Sequence, residues 1–400
     1  MSTVTSLADK WGIHPKQTWL RGGRPEPRVQ FDEELGLWHV YGYPEAMQVL
    51  GSTATFSSEV AKRFIPGADQ WDFDGDLTHL DPPEHQRLRN LVTRAFTPKV
   101  VAGLEPRITE LTHELLDAVD PDGFDLVTDL AYPLPVIVIA DLLGVPNSDR
   151  ELFKKWAEDV LGQRSQVSTT DDSGEQERTI AAQEKAQQEM KDYLKQHSAE
   201  RRRHPREDLL TDLIQAEVEG RRLTDNQIGN FAGLLIMAGH VTTTMLLGNT
   251  ILCLDTYPDA AERVRADRSL IRTTIEESLR LLSPIAAAYR ATNVDVDIAG
   301  THVPKDQMLE VWVSAANRDE RQFTDPHTFD PARDPNPHLG FGRGIHFCLG
   351  APLARLEGRV ALNILLDRFP ALRTDPDNLP TFLDTPDLTG VWTLPLRTHD

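Results

Sequence analysis

The sequence predicts a mainly helical fold with a small β portion, and three observations carry that prediction. Apolar residues recur at helical spacing along most of the chain. Strand-like alternation is confined to a few short segments. One stretch, residues 226–254, is rich in apolar side chains and holds no Asp, Glu, Lys or Arg, as befits a helix at the centre of a core.

Taken in order, helices are predicted over 43–50, 84–96, 99–118, 149–163, 179–201, 206–217, 225–255, 258–265, 267–282 and 351–368. Thr224 and Gln227 form a capping box that opens the long apolar helix. Pro258 and Pro284 punctuate helix boundaries. Strands are predicted over 28–31, 36–41, 295–304 and 307–313, with Ala299-Gly300 as a hairpin signal. Ser165 to Arg178 is polar and reads as a connection between surface helices. Ala68 to Asp76 alternates acids with Trp71 and Phe73. It reads as a solvated loop with inward aromatics or, alternatively, as a lid whose acids meet a cationic group on a substrate.

The chain has 400 residues, more than one domain usually needs, yet no linker, repeat or low-complexity tract divides it. One domain over residues 1–400 is the expectation, and 40% hydrophobic residues suffice for its core. A formal charge of −20 argues against a nucleic-acid partner. Two cysteines exclude a disulfide framework and fit a reducing cytoplasm. Cys253, in an apolar run, reads as a buried small hydrophobe. The first residues show no secretory signal. Residues 226–254 could span a membrane by length. They contain Asn226, Gln227, Asn230, His240 and Asn249, however, and their flanks, Asp225 and Asp255, are acidic, so no membrane span is expected.

The chemistry is concentrated in Phe341-Gly342-Arg343-Gly344-Ile345-His346-Phe347-Cys348-Leu349-Gly350, just before the predicted helix 351–368. Glycines at 342, 344 and 350 permit backbone angles closed to other residues and turn amides toward the sulfur. Such amides and a helix N-terminus favour a thiolate. Phe341 is placed to pack beside the sulfur and limit its solvation. The stretch resembles the haem-ligating loop of the cytochrome P-450 family, Phe-Gly-x-Gly-x-His-x-Cys-x-Gly, at every fixed position.

That resemblance covers almost the whole chain, most firmly from Thr78 onward, and implies a triangular helical domain. Haem b would lie between helix 225–255 and the helix after the cysteine loop, with Cys348 as the iron ligand. A thiolate ligand favours cleavage of the O–O bond. Glu277 and Arg280, three apart on one helical face, together with Arg333, match the family's buried structural triad. His85, Arg89, Arg290 and His346 match its contacts to the haem propionates. Ala238 and Gly239 match the small pair above the iron, where they make room for oxygen. Thr242 matches the alcohol that relays protons, and is the expected catalytic residue. The other reading of Thr242 is a helix residue bonded back to its own i−4 carbonyl. Val241 departs from the pattern, because an acid is usual there and a valine cannot shuttle a proton. His240 is expected to face away from the iron. Ser283-Pro284-Ile285-Ala286-Ala287-Ala288 and Leu388-Thr389-Gly390-Val391 are expected to wall a cavity for a bulky lipophilic molecule.

The implied reaction inserts one atom of O2 into a C–H or C=C bond, hydroxylation or epoxidation, with electrons from NAD(P)H. No flavin or iron–sulfur segment is seen, so a ferredoxin and its NAD(P)H-dependent reductase are the expected redox partners. A soluble, cytoplasmic, monomeric enzyme of the bacterial class is implied, with a polyketide or macrolide, terpenoid or steroid as substrate. Arg87, Arg94, Lys99, Arg343, Arg355 and Arg359 are expected to form a basic docking face for an acidic ferredoxin. Two alternatives stand beside this reading. A peroxide-using enzyme of the same fold often carries an arginine near the alcohol position, and none occurs here. A haem-based sensor would have no use for a complete oxygenase-type distal motif.

Overall fold

The computed structural model describes residues 3–65, 72–93, 96–161, 175–218 and 220–399. Its axis is the helix Asp225–Thr256, hereafter the central helix. The capping box forms as predicted: the Gln227 amide donates to Thr224 Oγ1 at 3.1 Å and the Thr224 amide to Gln227 Oε1 at 3.0 Å. The helices Pro133–Leu143, Glu175–Arg203, Ile271–Leu281 and Ala351–Arg368 pack around it. Among the described residues the central helix alone is long and apolar enough to cross a membrane, yet 61% of its most apolar window is buried inside the protein. Buried Asn249 shows what that burial requires, since its Nδ2 donates to the carbonyls of Leu282 at 2.9 Å and Thr389 at 2.8 Å.

Helix boundaries depart from expectation where prolines intervene. The predicted helix 99–118 is two helices, Pro98–Gly103 and Glu105–Asp117, broken at Leu104 just before Pro106. The helix Pro133–Leu143 was not predicted at all. Its residues are apolar on every side and nearly all buried, so no amphipathic period betrays it.

The main sheet has five strands in the order Val29–Asp32, Leu37–Val40, Met308–Val311, Ala288–Thr292 and Phe56–Ser57. Only the pairing of Leu37–Val40 with Met308–Val311 is parallel, with Leu309 opposite Trp38. Ala288–Thr292 escaped the sequence reading, although it is an interior strand, paired on both sides, and carries Arg290. The predicted strand 295–304 is a hairpin, Val296–Ile298 against Thr301–Val303. Ala299 (φ 50°) and Gly300 (φ 78°) form its turn.

Of the acidic loop 68–76, residues 68–71 lie outside the described residues, as do 165–174 of the polar connection. The remainder of the acidic loop is docked. Asp72 pairs with Lys191 at 2.5 Å and Asp74 accepts from Gln227 at 2.8 Å. Gly75 (φ 104°) approaches so closely that a Cβ would lie 2.5 Å from the Gln227 carbonyl. Phe73 is buried. The described acids of this loop are paired within the protein itself.

The helix Ile271–Leu281 supplies the anchor of the core. Both Glu277 and Arg280 are fully buried. Arg280 Nε and Nη2 each donate to the Glu277 carboxylate at 2.8 Å, and Arg333 Nε reaches it at 3.0 Å. Asn336 Nδ2 and the Asp330 amide complete the shell, each at 3.0 Å. A buried carboxylate is tolerated only with such complete satisfaction. Replacing Glu277 by Gln keeps the shape but leaves Arg280 without a counter-ion, which should destabilise the protein by about 3–5 kcal/mol. Denaturant unfolding of the purified variant checks this, and a loss below about 1 kcal/mol would contradict the anchoring role.

Candidate functional site

The cysteine loop is built by turns that only glycine makes easily. Gly342 (φ 72°) and Gly344 (φ 69°) are left-handed, and a Cβ on Gly344 would stand 2.9 Å from the Leu50 carbonyl. Gly350 differs from expectation: at φ −80° it needs no special backbone freedom. A side chain there would point toward Cys348 Sγ, with its Cβ 3.9 Å away. The Cys348 amide donates to the Phe341 carbonyl at 2.9 Å, which closes the loop. Phe341 therefore engages the cysteine through its backbone. Its ring lies under the Arg355 guanidinium, 4.5 Å from the centroid.

The amides of Gly350 and Ala351 face the sulfur, and Arg89 and Arg355 lie near enough to favour a thiolate. Burial nevertheless outweighs these donors and holds the free thiol above its ordinary range. The loop geometry is as the sequence implied, but by itself it leaves a protonated thiol. Although protein surrounds it, Cys348 is exposed, and the opening beside its sulfur is where a ligand could sit.

Around that opening stand two histidines and two arginines. His85 is fully buried and neither of its ring nitrogens has a partner among the described residues. Its ring lies 4.4 Å from that of His346, whose Nε2 is 2.8 Å from Ser58 Oγ. Arg290 is buried on its strand and uses Nη1 on the Tyr289 carbonyl at 2.7 Å. Arg89 Nη2 donates to the Phe347 carbonyl at 2.6 Å, which ties its helix to the cysteine loop. Burial first, then the Arg89 guanidinium, push His85 down to about 4. Burial, then Arg290, His85 and Arg89, push His346 to about 3. The neighbouring acid, Asp81, is held by Ser57 Oγ and the Ser58 amide. The cluster is electropositive and rejects further protons, which is the environment two carboxylates of a ligand would satisfy.

On the central helix, Ala238 is exposed although its neighbours Ile236 and His240 are buried, so this turn faces open space. Gly239 faces elsewhere, since a Cβ there would meet Ile139 of the helix Pro133–Leu143 at 3.5 Å. Thr242 Oγ1 donates to the Ala238 carbonyl at 2.8 Å, the helix-internal bond of the alternative reading. His240 points away to an edge-on contact with Tyr132, 5.6 Å between centroids, and is held at about 4 by burial. Val241 packs with Met245, Leu383 and Leu388. Beside it lies a cavity of about 370 Å³, with Val241 and Met245 on one wall and Glu151, Lys154 and Glu158 on another. Leu388 bridges to Ile285, and Gly390 lies where a Cβ would clash with Met245 at 2.2 Å. The two apolar segments noted in the sequence therefore meet.

The sequence reading missed a bracket beneath the cysteine loop. Arg355 Nε and Nη2 grip Glu276 at 2.7 and 2.8 Å, and His338 Nε2 lies 2.9 Å from the same carboxylate. Burial alone would raise Glu276, but the bonds from Arg355 and His338 win and hold it at about 2. Its signal was the adjacency of Glu276 to Glu277, which puts a second acid on the same helix facing the loop. Arg355 is thereby removed from the proposed basic face, and Arg359 is paired with Glu105 at 2.9 Å. Arg87, Lys99 and Arg343 remain exposed, while Arg94 lies outside the described residues.

A sulfur facing an opening, electropositive walls with unused donors, and a helix turn opened by a small residue fit a dianionic macrocycle whose metal meets the sulfur. That is the definition of a haem-thiolate protein. Residues 36–397 match the cytochrome P450 family, and the chain belongs to it. It is 43% identical over 378 residues to "Cyclomarin C epoxidase CymV" of Salinispora arenicola, with 93% of each chain covered. It is 41% identical to "Erythromycin C-12 hydroxylase" of Saccharopolyspora erythraea, covering 94% of this chain and 91% of that one. Among solved structures, the post-tailoring hydroxylase HmtN, involved in himastatin biosynthesis, superposes with a TM-score of 0.86 at 57% identity over the full length of both chains. The protein is a cytochrome P450 monooxygenase whose cofactor is haem b.

Glu357, on the cysteine helix, is fully buried with Oε2 unpartnered, and burial raises it to about 8. An unfolded chain releases this proton near 4.5. The contribution of Glu357 to stability is therefore full below that pH and is lost as pH rises toward 8, by on the order of 2–5 kcal/mol. Glu357→Gln should flatten the dependence and unfold at higher temperature than the parent above about pH 7. Melting curves between about pH 5 and pH 9 check this, and parallel curves for the two proteins would contradict it.

Proposed function

We propose that the protein hydroxylates or epoxidises a bulky lipophilic secondary metabolite in the cytoplasm, using O2 and electrons passed from NAD(P)H through a ferredoxin and its reductase. The observation that carries this is the cysteine loop set against four basic residues with unspent donors. The named activities of the relatives, an epoxidase and two hydroxylases, support the reaction class. The small apolar segment 283–288 beside Leu388 supports a bulky apolar substrate.

In this reading Cys348 ligates the iron, and the amides of Gly350 and Ala351 stabilise its thiolate. Phe341 and the Arg355–Glu276 bracket hold the loop rigid behind it. His85, Arg89, Arg290 and His346 bind the two propionates, which satisfy His85 and neutralise the excess positive charge. Bound haem with a thiolate ligand supplies oxygen activation and transfer. Exposed Ala238 would leave room for oxygen beside the haem, and Gly239 lets the central helix settle against Ile139. Thr242 Oγ1 spends its hydrogen on Ala238 and keeps lone pairs that accept a hydrogen bond from water. Val241 offers no proton, so water in the adjoining cavity, in reach of Glu151 and Glu158, serves as the source. The exposed Arg87, Lys99 and Arg343 receive the electron donor.

Cys348→His should abolish the strongly red-shifted Soret band of the ferrous carbon monoxide complex. A variant that keeps the parent spectrum would contradict ligation by Cys348.

Proton delivery is tested by the hydrogen peroxide released per NADPH consumed at saturating substrate. Thr242→Ala should raise that ratio several-fold and Val241→Glu should lower it, given the roughly 10²–10⁴-fold worth of a placed proton donor. If both ratios equal the parent's, protons arrive by another route.

A further inference from the structure

Away from the cysteine loop, the side chain of Arg318 is almost wholly buried, yet none of its three guanidinium nitrogens has a hydrogen-bond partner among the described residues. An unpaired buried guanidinium costs several kcal/mol, so a native protein rarely leaves one unanswered. Two further buried nitrogens without partners are close by in the fold, Trp19 Nε1 and His327 Nδ1. All three residues line one crevice of about 20 Å³, together with Gly23, Pro25 and Ala315.

The acids around this crevice are already committed. Glu320 pairs with Arg24 at the mouth, and Glu26 pairs with Arg28 at 2.9 Å. Deeper in, Glu277 serves both Arg280 and Arg333. Tyr257 and Cys253, also near Arg318, are both pushed upward chiefly by burial, Cys253 to about 12, and so stay neutral. Arg280 adds repulsion, and burial followed by that repulsion brings Arg318 down to about 9. It is still charged at neutral pH, in a pocket with more positive than negative charge.

We propose that this crevice binds one monatomic anion, chloride in the cell, held by the Arg318 guanidinium with Trp19 Nε1–H and His327 Nδ1–H as further donors. The crevice is small and admits a particle of water or halide size. A water molecule would accept some of these hydrogen bonds but leave the charge uncompensated, and the charge is the larger debt. The anion joins two segments distant in sequence. Trp19 belongs to the short helix Thr18–Arg21 and packs at a tilt against Trp312, 4.9 Å between centroids. Arg318 follows Asn317, whose carbonyl accepts from Arg280 at 3.0 Å. The site therefore pins the N-terminal segment to the scaffold of the Glu277 network.

Two measurements on the haem-loaded protein decide the matter. Crystals soaked in bromide should show a bromine anomalous peak within about 3.5 Å of the Arg318 guanidinium. Ordered water there, with no bromine peak, would overturn the proposal. In solution, replacing gluconate by chloride at constant ionic strength should raise the melting temperature saturably, as expected of a ligand bound only by the folded state. Arg318→Met should abolish that response. If this variant does not fold, Trp19→Phe removes one donor while keeping an aromatic ring, and should shift the chloride midpoint upward by about tenfold. A parent that does not respond to chloride, or variants that respond as the parent does, would equally overturn it.

Discussion

The buried carboxylate of Glu277 is the interaction on which the rest of the site depends. It gathers Arg280, Arg333, Asn336 and the Asp330 amide, and Arg280 then spends its remaining N–H groups on the carbonyls of Asn317, Pro326 and Thr328. From there the order passes along the chain by single bonds. Asn317 Oδ1 accepts the Leu339 amide at 2.7 Å, the Leu339 carbonyl accepts the Gly342 amide, and the Phe341 carbonyl accepts the Cys348 amide. A buried ion pair is a poor source of net stability, because desolvation offsets most of its Coulomb energy. Its worth here is geometric: one charge fixes a long irregular segment that has neither helix nor sheet to hold it.

The same physics explains why the cofactor site is uncomfortable without its ligand. His85, His346, Arg89 and Arg290 crowd around one opening, and burial keeps both histidines neutral. The Cys348 thiol is likewise held protonated by burial despite two amides aimed at it. Each group is placed for a charge the protein does not itself supply. In the proposed reading, haem propionates would answer the cations and its iron would take up the sulfur as a thiolate.

The residues whose chemistry depends on local pattern were legible in the sequence. The loop 341–350, the Glu277–Arg280–Arg333 set and the Thr224 capping box announce themselves by spacing; the last two take their expected form, and the loop does so at Gly342 and Gly344 but not at Gly350. What escaped depends on tertiary burial. Pro133–Leu143 is apolar all round, so periodicity carries no signal. Ala288–Thr292 follows a small apolar run and becomes a strand only because Met308–Val311 lies beside it. Arg355 reads as a surface cation until Glu276 and His338 are seen to enclose it. Arg318 sits in an unremarkable run, and nothing in that run shows that its guanidinium is buried without a partner. Sequence spacing reports which groups share a face, whereas charge balance in a buried pocket is decided by several segments at once.

Thr242 illustrates how the two readings of a residue can both hold. Its hydroxyl donates to Ala238, as do those of Thr243 to Gly239 and Thr244 to His240. Such bonds look purely structural, but each target carbonyl also accepts the helical amide four residues on, so it is not orphaned when a hydroxyl turns away. Turning Thr242 outward therefore costs about 1 kcal/mol or less, the net value of one hydrogen bond. Val241 strengthens the case, because an apolar neighbour neither competes for the hydroxyl nor fixes its orientation. An acid at 241 would supply the proton itself, whereas with valine there the threonine is free to rotate and the cavity beyond it is left to hold the acid groups. In the proposed reading, the departure from the family's pattern would move the proton source off the central helix and toward the cavity that Val241 shares with Glu151 and Glu158.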